Sequence, residues 1–188
     1  MTTTMKFTIA DLEGLPQKEG ARYEIIGGEL HVSTQPSWQH QFVCGELIAE
    51  LREWGKPTNA GRVIPAPGLV FARDEAVAPD VVWVSRARLG EVLGQDGKLH
   101  AAPDLVVEVL SPGRTNERRD RELKLDLYSR RGVQEYWIVD WEERQLDVYR
   151  HQAGALLRVA TLREADELVS PLLPDFRLPL GRLFADLT

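Results

Sequence analysis

The apolar residues in the first part of the chain are spaced first as in a helix and then as in two short strands. Residues 8–18 have the pattern of a short helix. Two alternating runs follow at residues 23–26 and 29–32, and they are separated only by Gly27 and Gly28. Two glycines between such runs are typical of a tight β-hairpin, so we predict a hairpin near the N-terminus.

A longer helix and an irregular strand are predicted next. Residues 37–54 carry apolar side chains at intervals of three and four, which indicates an amphipathic helix that ends at Gly55. Residues 62–71 form one extended run interrupted by Pro65 and Pro67. Proline cannot donate a hydrogen bond to a neighbouring strand, so this run suits a bent strand or one at a sheet edge.

The middle of the chain contains two runs that are almost wholly apolar. Residues 79–84 and 103–110 each open with Pro-Asp and continue with branched apolar side chains. Such runs are typical of strands that are covered on both faces. A helix is then predicted from Thr115 or Asn116 to about Arg131, where a glycine follows.

The order of these elements predicts an α/β fold. Residues 136–139 form a further apolar strand, and residues 144–150 and 155–161 have the pattern of a C-terminal β-hairpin. We therefore expect a central mixed sheet flanked by helices. No repeat or flexible linker divides the chain, so residues 1–188 are expected to form a single domain. Its core spans about 37–140, between an N-terminal extension (1–36) with the hairpin and a C-terminal addition (141–188).

The composition narrows the possible classes of protein. The 188 residues carry a net charge of −6, which argues against a general nucleic-acid coat protein, and they include one cysteine, Cys44. A single cysteine excludes a disulfide framework and a cysteine-rich metal site within the chain. No apolar run approaches the roughly 18 residues of a membrane span, and the N-terminus lacks a secretory pattern. We expect a cytoplasmic protein without membrane contact.

Acidic residues within the apolar strands are the strongest chemical signal. Glu108 lies between valines in the run 103–110, where a lone carboxylate is costly unless it is paired, protonated or bound to a metal. Asp104 lies on the same strand face as Glu108 but roughly 13 Å from it, which is too far for both carboxylates to bind one ion. Asp80, at the start of the other run, can reach Glu108 if the two strands pair in register. The alternative is a structural ion pair between Glu108 and an arginine.

The helix that follows offers a lysine. Asp120, Lys124 and Tyr128 are spaced by four residues and therefore share one helix face. An exposed Asp–Lys pair is the simpler interpretation. However, leucines flank Lys124 on both sides, which favours a side chain that projects toward the sheet.

These residues carry a family resemblance. The sequence resembles the Uma-two family in the segments RYEIIGGELHVS (22–33), PDVVWV (79–84), PDLVVEVLSP (103–112) and GVQEYWIVD (132–140), together with His40 and the D-x-x-x-K spacing of Asp120 and Lys124. That family consists of restriction-endonuclease-like nucleases of the PD-(D/E)xK superfamily. The match runs from about Tyr23 to Tyr149. The resemblance implies a restriction-endonuclease-like core with a metal-dependent phosphodiesterase site.

The resemblance also implies roles for single residues. Asp80 matches the Asp of the PD motif and Glu108 the following acid, so both are expected to hold Mg²⁺ or Mn²⁺. The superfamily usually has a lysine two residues after that acid, where this chain has Leu110. Lys124 matches a lysine that the family carries on the following helix. The resemblance implies that this lysine takes the role of the one missing at Leu110. Auxiliary positions are expected near the site, namely Glu24, His40, Asp104 and Asp120.

Mg²⁺ suits this chemistry because it can activate a water molecule and neutralise charge on a phosphate. Lys124 is expected to orient or deprotonate that water. His40 can bind phosphate or assist proton transfer, although a helix-capping role at the start of residues 37–54 is the alternative.

Nucleic acid, with DNA expected first, is the partner that these assignments imply. Residues 114–131 contain seven basic and four acidic side chains, which suits a phosphate backbone but also an ordinary solvated helix face. A homo-dimer or higher homo-oligomer is expected to accompany the activity. The rival hypothesis is a catalytically silent nuclease fold that binds nucleic acid or protein, because the usual lysine position is lost at Leu110.

Overall fold

The computed structural model describes residues 6–15 and 20–187. Its helical segments are α1 (Ile9–Gly14), α2 (Trp38–Gly55), α3 (Leu89–Val92), α4 (Arg114–Arg118), a π-helical segment (Arg119–Lys124), α5 (Leu125–Arg131) and α6 (Gly181–Phe184). Its strands are β1 (Arg22–Ile26), β2 (Glu29–Ser33), β3 (Gly61–Pro65), β4 (Leu69–Ala72), β5 (Glu75–Val77), β6 (Val81–Ser85), β7 (Leu105–Val109), β8 (Glu135–Asp140), β9 (Gln145–Gln152), β10 (Ala155–Arg163), β11 (Glu167–Ser170) and β12 (Leu173–Pro179).

A six-stranded sheet forms the centre of the fold. Its strand order is β10-β9-β8-β7-β6-β3. β7 and β8 run parallel, whereas the other neighbouring strands are antiparallel. The predicted α/β fold with a central mixed sheet is therefore confirmed. The predicted C-terminal hairpin is also present, as β9 and β10.

Both faces of this sheet are covered, as the continuous apolar runs predicted. Alternate residues of β7 point to opposite sides because the side-chain period of a strand is two. Val107 and Val109 pack into a core with α2, β12 and α6. Val106 packs on the other side with Leu127 of α5 and with apolar residues of a second sheet. Glu108 is thus the one charged position in a fully buried strand.

The second sheet joins distant parts of the chain. Its order is β2-β1-β5-β4, and Ile25 of β1 pairs with Ala76 of β5. The predicted N-terminal hairpin is confirmed, and its turn residues Gly27 and Gly28 have φ values of 59° and 84°. Glycine adopts such left-handed conformations without the steric strain that a side chain adds, which suits Gly-Gly to this two-residue turn. The predicted extension therefore shares a sheet with residues of the predicted core.

The prediction of one strand over residues 62–71 is wrong. The run divides into β3, which belongs to the six-stranded sheet, and β4, which belongs to the second sheet. Ala66 lies between Pro65 and Pro67 with φ at 43°, and its N–H donates to the Asp80 carbonyl at 2.9 Å. The two prolines prevent a regular strand here, so the chain turns from one sheet to the other.

Other differences concern short elements. The helix predicted over residues 8–18 ends at Gly14, and residues 16–19 lie outside the described part of the chain. The helix predicted from Thr115 or Asn116 begins at Arg114 and is followed by Gly132, which has a left-handed φ of 82°. β5 and the β11–β12 hairpin were not predicted: β5 and β11 have only three and four residues, and the seven residues of β12 include two prolines.

No helix among the described residues combines the length and the apolar character needed to cross a membrane.

The close contact between β3 and β6 provides a test of the fold. A Cβ atom at Gly61 would lie 2.3 Å from the Val84 carbonyl oxygen, whereas one at Gly45 in α2 would meet nothing within 4 Å. We expect Gly61→Ala to lower the free energy of unfolding by about 1–3 kcal/mol. Gly45→Ala is the matched control, and it should be neutral or stabilising by up to about 1 kcal/mol. Urea titrations of both variants measure the difference; equal stabilities would contradict this packing.

Candidate functional site

A small polar cavity lies where β6 begins and β7 ends. Its volume is about 30 Å³, close to the space that one water molecule occupies. The residues that line it come from both sheets, α2 and the π-helical segment: Arg22, Ser33, Thr34, Pro36, His40, Asp80, Glu108, Val109, Ser111, Arg119 and Lys124. A larger groove of about 860 Å³ lies between α2 and β3, but neither Asp80 nor Glu108 lines it. The grouping of titratable side chains therefore indicates the smaller cavity.

Strand pairing brings the two principal acids together. Val81 of β6 is opposite Val107 of β7, so the next residues along the antiparallel ladder are Asp80 and Glu108. The backbone N–H of Val109 donates to Asp80 Oδ2 at 2.9 Å. Both carboxylates line the cavity. The two strands thus pair in the register that the sequence analysis required for Asp80 to reach Glu108.

Asp80 is held by three hydrogen-bond donors. Besides the Val109 N–H, His40 Nε2 lies 3.2 Å from Oδ2, and the Arg22 guanidinium donates to Oδ1 at 3.0 Å. Burial alone would raise the pKa of Asp80. The hydrogen bond from His40 and the positive charges around the carboxylate outweigh burial, so its pKa lies well below the usual value. Asp80 is therefore ionised at neutral pH.

The α2 helix supplies His40 and Cys44 to the same place. The cap of this helix is Ser37, whose hydroxyl oxygen accepts from the His40 N–H at 3.3 Å, so the His40 side chain is not used for capping. The four-residue spacing puts Cys44 on the same helix face, with Sγ 3.6 Å from His40 Nδ1. Burial raises the pKa of the Cys44 thiol, which keeps it protonated. The thiol thus supports the imidazole rather than acting as a nucleophile.

Lys124 lies inside the protein and not on its surface. Its Nζ is 3.0 Å from Glu24 Oε1, 3.0 Å from Glu108 Oε1 and 3.5 Å from Asp120 Oδ1, and the side chain is 1% exposed. Burial alone would lower the pKa of the amine, but the three carboxylates raise it well above its usual range. Lys124 is therefore a permanent cation that joins β1, β7 and its own helix.

The π-helical segment explains how one helix presents so many charges to the cavity. A π turn is wider than an α turn, so the adjacent residues Arg119 and Asp120 are both buried one turn before Lys124. Arg119 Nε lies 3.1 Å from Asp120 Oδ1 and 3.7 Å from Glu24 Oε2. Arg119 is thus the second cation that balances Glu24.

The pKa of Glu108 is shifted in the opposite direction to that of Asp80. Its Oε1 accepts hydrogen bonds from Lys124 and, at 2.8 Å, from the Tyr128 hydroxyl. Burial raises the pKa of Glu108 most strongly; Lys124 opposes this effect, while the neighbouring carboxylates of Asp80 and Asp120 add to it. The result is a pKa well above the usual value. Two acids at one cavity with pKa values pushed apart are typical of a functional site.

The structure does not bring Asp104 to the cavity. Its carboxylate accepts from the Ser85 N–H at 2.8 Å and from Arg88 at 3.0 Å, at the opposite end of β7 from Glu108. A separation of four residues along a strand, roughly 13 Å, accounts for this placement. Asp104 has a structural role in the strand connection. The remaining predicted auxiliary residues (Glu24, His40 and Asp120) do meet at the site.

Three further residues at the site were not assigned a role from the sequence. Arg22 and Arg119 contact the carboxylates, and Tyr128 donates to Glu108. The four-residue spacing described above already places Tyr128 on the helix face of Lys124. Period-two spacing on β1 places Arg22 on the same face as Glu24, so that periodicity could have indicated Arg22. Arg119 is brought inward by the π turn, which leaves no such pattern.

The donor atoms fit a divalent cation. Asp80 and Glu108 offer carboxylate oxygens, which are the ligands that Mg²⁺ and Mn²⁺ prefer. The cavity that they line is large enough for a metal ion or a water molecule. Both hydrogen bonds to Glu108 end on Oε1, so Oε2 accepts neither of them. His40, Cys44 and Asp80 also offer three donor atoms within 4.8 Å of one another. The residues at the cavity could therefore hold an ion.

Comparisons with known proteins agree with this arrangement. The profile of the Uma2 (Uma-two) family, described as "Putative restriction endonuclease", matches residues 9–181. The chain belongs to the Uma2 family. This assignment confirms the resemblance seen in the motifs, and Uma2 membership supports a nuclease. A comparison with curated proteins gave no significant match.

A solved structure shares the fold of this Uma2 chain. It is described as a "putative nuclease belonging to DUF820" from Anabaena variabilis. The TM-score is 0.73 at 21% sequence identity, and the alignment covers 95% of this chain and 97% of the other. At that identity the likeness concerns the architecture, which it confirms over nearly the whole length.

The two glutamates bound to Lys124 should respond to pH in opposite ways. The pKa of Glu24 is lowered in the fold: Lys124, the Ala78 N–H and Arg119 together outweigh its burial. Its stabilising contribution is therefore present above its unfolded pKa of about 4.3 and lost as the pH falls through the lower folded value. The pKa of Glu108 is raised, chiefly by burial, so the cost of its ionisation grows as the pH rises through its folded value.

We expect Glu24→Gln to be less stable than the wild type at pH 7 by about 1–3 kcal/mol. Glu108→Gln should be more stable by about 0.5–2 kcal/mol. The Glu108→Gln difference should shrink as the pH falls toward about 4.3, whereas the Glu24→Gln difference should persist down to about 4.3 and shrink only below it. Urea unfolding of the three proteins from about pH 3 to 8 measures this, and a loss of stability in Glu108→Gln at pH 7 would contradict the assigned direction.

Proposed function

We propose that the chain is a metal-dependent endonuclease that hydrolyses phosphodiester bonds, with DNA as its substrate. The observation that carries this proposal is the convergence of Asp80 and Glu108 at one water-sized cavity, with Lys124 bound to Glu108. Uma2 membership supports the broader class of nuclease. The resemblance of the motifs to the PD-(D/E)xK superfamily supports the assignment of the individual residues.

Asp80 and Glu108 would hold Mg²⁺ or Mn²⁺. When bound, the ion supplies an activated water molecule and positive charge for the phosphate. Asp80 is prepared for this role because its low pKa keeps it ionised. A divalent cation held there would favour the ionised form of Glu108, against the burial and the neighbouring carboxylates that raise its pKa.

Lys124 takes the place of the lysine that is missing at Leu110. The Leu110 side chain is buried in the apolar core on the side of α5, so that position offers no charge to the cavity. The Lys124 ammonium reaches the Glu108 carboxylate from the helix instead. There it can orient a water molecule and offset negative charge on a phosphate. Its raised pKa favours this electrostatic role over that of a general base.

The auxiliary residues position the principal ones. His40 donates to Asp80 and fixes the carboxylate, while Glu24 and Asp120 hold the Lys124 ammonium in place. Removing such partners typically weakens metal affinity or activity about 10–100-fold. The three residues therefore support the site through Asp80 and Lys124.

Basic side chains near the cavity support a polyanionic substrate. Arg114 and Arg118 are exposed on α4, which follows the cavity-lining Ser111. Exposed arginines beside a cavity can hold a phosphate backbone and draw it toward the site. DNA as the substrate, the cytoplasmic location and the homo-oligomer stay predictions.

The central test compares two acids of the apolar run 103–110. Glu108→Gln should reduce Mg²⁺- or Mn²⁺-dependent cleavage of plasmid DNA and of single-stranded oligonucleotides by at least about a hundredfold, because the amide is a poor metal ligand. Asp104→Asn is the matched control, since this acid belongs to the same chain segment but lies outside the cavity. It should cleave at close to the wild-type rate, and chelation with EDTA should stop cleavage in every sample.

Each alternative outcome has a distinct meaning. Equal cleavage by the wild type and Glu108→Gln would contradict the proposed site. If folded wild type binds oligonucleotides but cleaves none with either metal, the silent binding module is the better assignment. Thermal unfolding of each variant establishes that it is folded.

A further inference from the structure

Arg22 connects the N-terminal hairpin to the principal acid of the cavity. One nitrogen of its guanidinium, Nη1, donates to Asp80 Oδ1 and to the Ala78 carbonyl, each at 3.0 Å. The Arg22 side chain is 33% exposed, whereas that of Asp80 is 5% exposed. Arg22 is thus the more exposed partner of the pair and has access to solvent at the wall of the cavity.

The two oxygens of Asp80 are occupied differently. Oδ2 receives both the Val109 N–H and His40, which together use the two lone pairs of a carboxylate oxygen. Oδ1 receives the Arg22 guanidinium. A cation that binds Asp80 without breaking the buried hydrogen bonds must therefore approach Oδ1, the oxygen that Arg22 contacts.

A divalent ion and a guanidinium on the same oxygen repel each other. At about 4–5 Å, a double and a single positive charge interact unfavourably by several kcal/mol even at the effective dielectric constant of a protein surface. Buried cations nearby add to this repulsion, because Arg119 and Lys124 also line the cavity. Arg22 is the cation that can leave, since the Lys124 side chain is 1% exposed and that of Arg119 is 11% exposed.

Once it leaves Asp80, the Arg22 guanidinium can bind a phosphate group. Its planar guanidinium offers a fork of N–H donors that matches two oxygens of a phosphate, and its backbone stays fixed in β1 at the cavity. The side chain would then exchange one anion, the Asp80 carboxylate, for another, the phosphodiester that the metal draws in. This exchange couples metal binding to substrate binding.

We propose that Arg22 acts as an electrostatic placeholder that pairs with Asp80 in the metal-free protein, is displaced from Oδ1 by the metal ion, and then binds the substrate phosphate. The inference rests on the proposed function, because it takes Asp80 as a metal ligand. It makes a prediction that a merely structural ion pair does not make. Removing Arg22 should strengthen metal binding and weaken nucleic-acid binding.

The experiment measures two affinities in the purified full-length chain. Isothermal titration with Mn²⁺ in the absence of nucleic acid should show binding about tenfold tighter in Arg22→Gln than in the wild type, because one charged hydrogen bond no longer competes. Fluorescence anisotropy with a labelled oligonucleotide in Ca²⁺, chosen as a divalent ion expected to support binding with little cleavage, should show binding about tenfold weaker.

A matched control separates this effect from the loss of any Arg–Asp pair. Arg88 donates to Asp104 at 3.0 Å with 32% of its side chain exposed, nearly the same geometry as Arg22 with Asp80. Arg88→Gln should leave both affinities within about twofold of the wild type. Arg22→Lys is the second variant, since it keeps the charge and supports the fold. Its Mn²⁺ affinity should stay near that of the wild type, while its oligonucleotide affinity falls because a lysine lacks the guanidinium fork.

The outcomes distinguish the two proposals. If the wild type binds Mn²⁺ and Arg22→Gln binds it equally or more weakly, the placeholder inference is overturned while the metal site stands. If Arg88→Gln gives the same gain as Arg22→Gln, the effect is one of overall charge and the inference is again overturned. If no protein in the series binds Mn²⁺, the metal site and the inference both fail.

Discussion

The buried ammonium of Lys124 is the constraint on which the rest of the site depends. A charged amine without water costs several kcal/mol unless acidic groups surround it closely, and here acidic side chains from three different elements lie within 3.5 Å. Glu24 and Asp120 are in turn costly to bury as anions without the amine. The hairpin of the second sheet, the central strand β7 and the helix must therefore meet in one arrangement, and the cavity is the space that remains between them. The fold and the site are consequently determined by the same set of charges.

Much of the architecture follows from short-range patterns. The nearly continuous apolar side chains of the two Pro-Asp runs predicted buried strands, and the pairing of those strands places Asp80 beside Glu108. The four-residue spacing on the helix placed Asp120 and Lys124 on one face. Both inferences depend only on the repeat of a strand or a helix, which the sequence displays directly. The strand repeat also shows that Asp104 lies too far from Glu108 to share its site. Asp104 was expected among the auxiliary residues only because the family resemblance implies it.

The parts that could not be predicted depend on contacts between distant segments. The pairing of Ile25 with Ala76 joins β1 and β5 in the second sheet, and the residues near either position give no pattern that predicts this pairing. The break at Ala66 follows from two prolines whose combined effect on an otherwise apolar run is to redirect the chain, which the spacing alone did not reveal. The inward turn of Arg119 requires a π-helical segment, a departure from the regular repeat on which helix prediction relies. Tertiary packing decides all three.

The separation of the charged partners along the chain has a consequence for synthesis. Glu24 and Lys124 are in contact in the fold, yet a hundred residues of polypeptide lie between them, and closing so long a loop is slow compared with forming a hairpin or a helix. While the chain is still emerging from the ribosome, the hairpin can form but the cavity cannot, because its lysine is made last. A nascent chain that ends before Lys124 therefore carries no assembled centre. For an enzyme that cuts nucleic acid, reactivity would be withheld until synthesis has passed that residue.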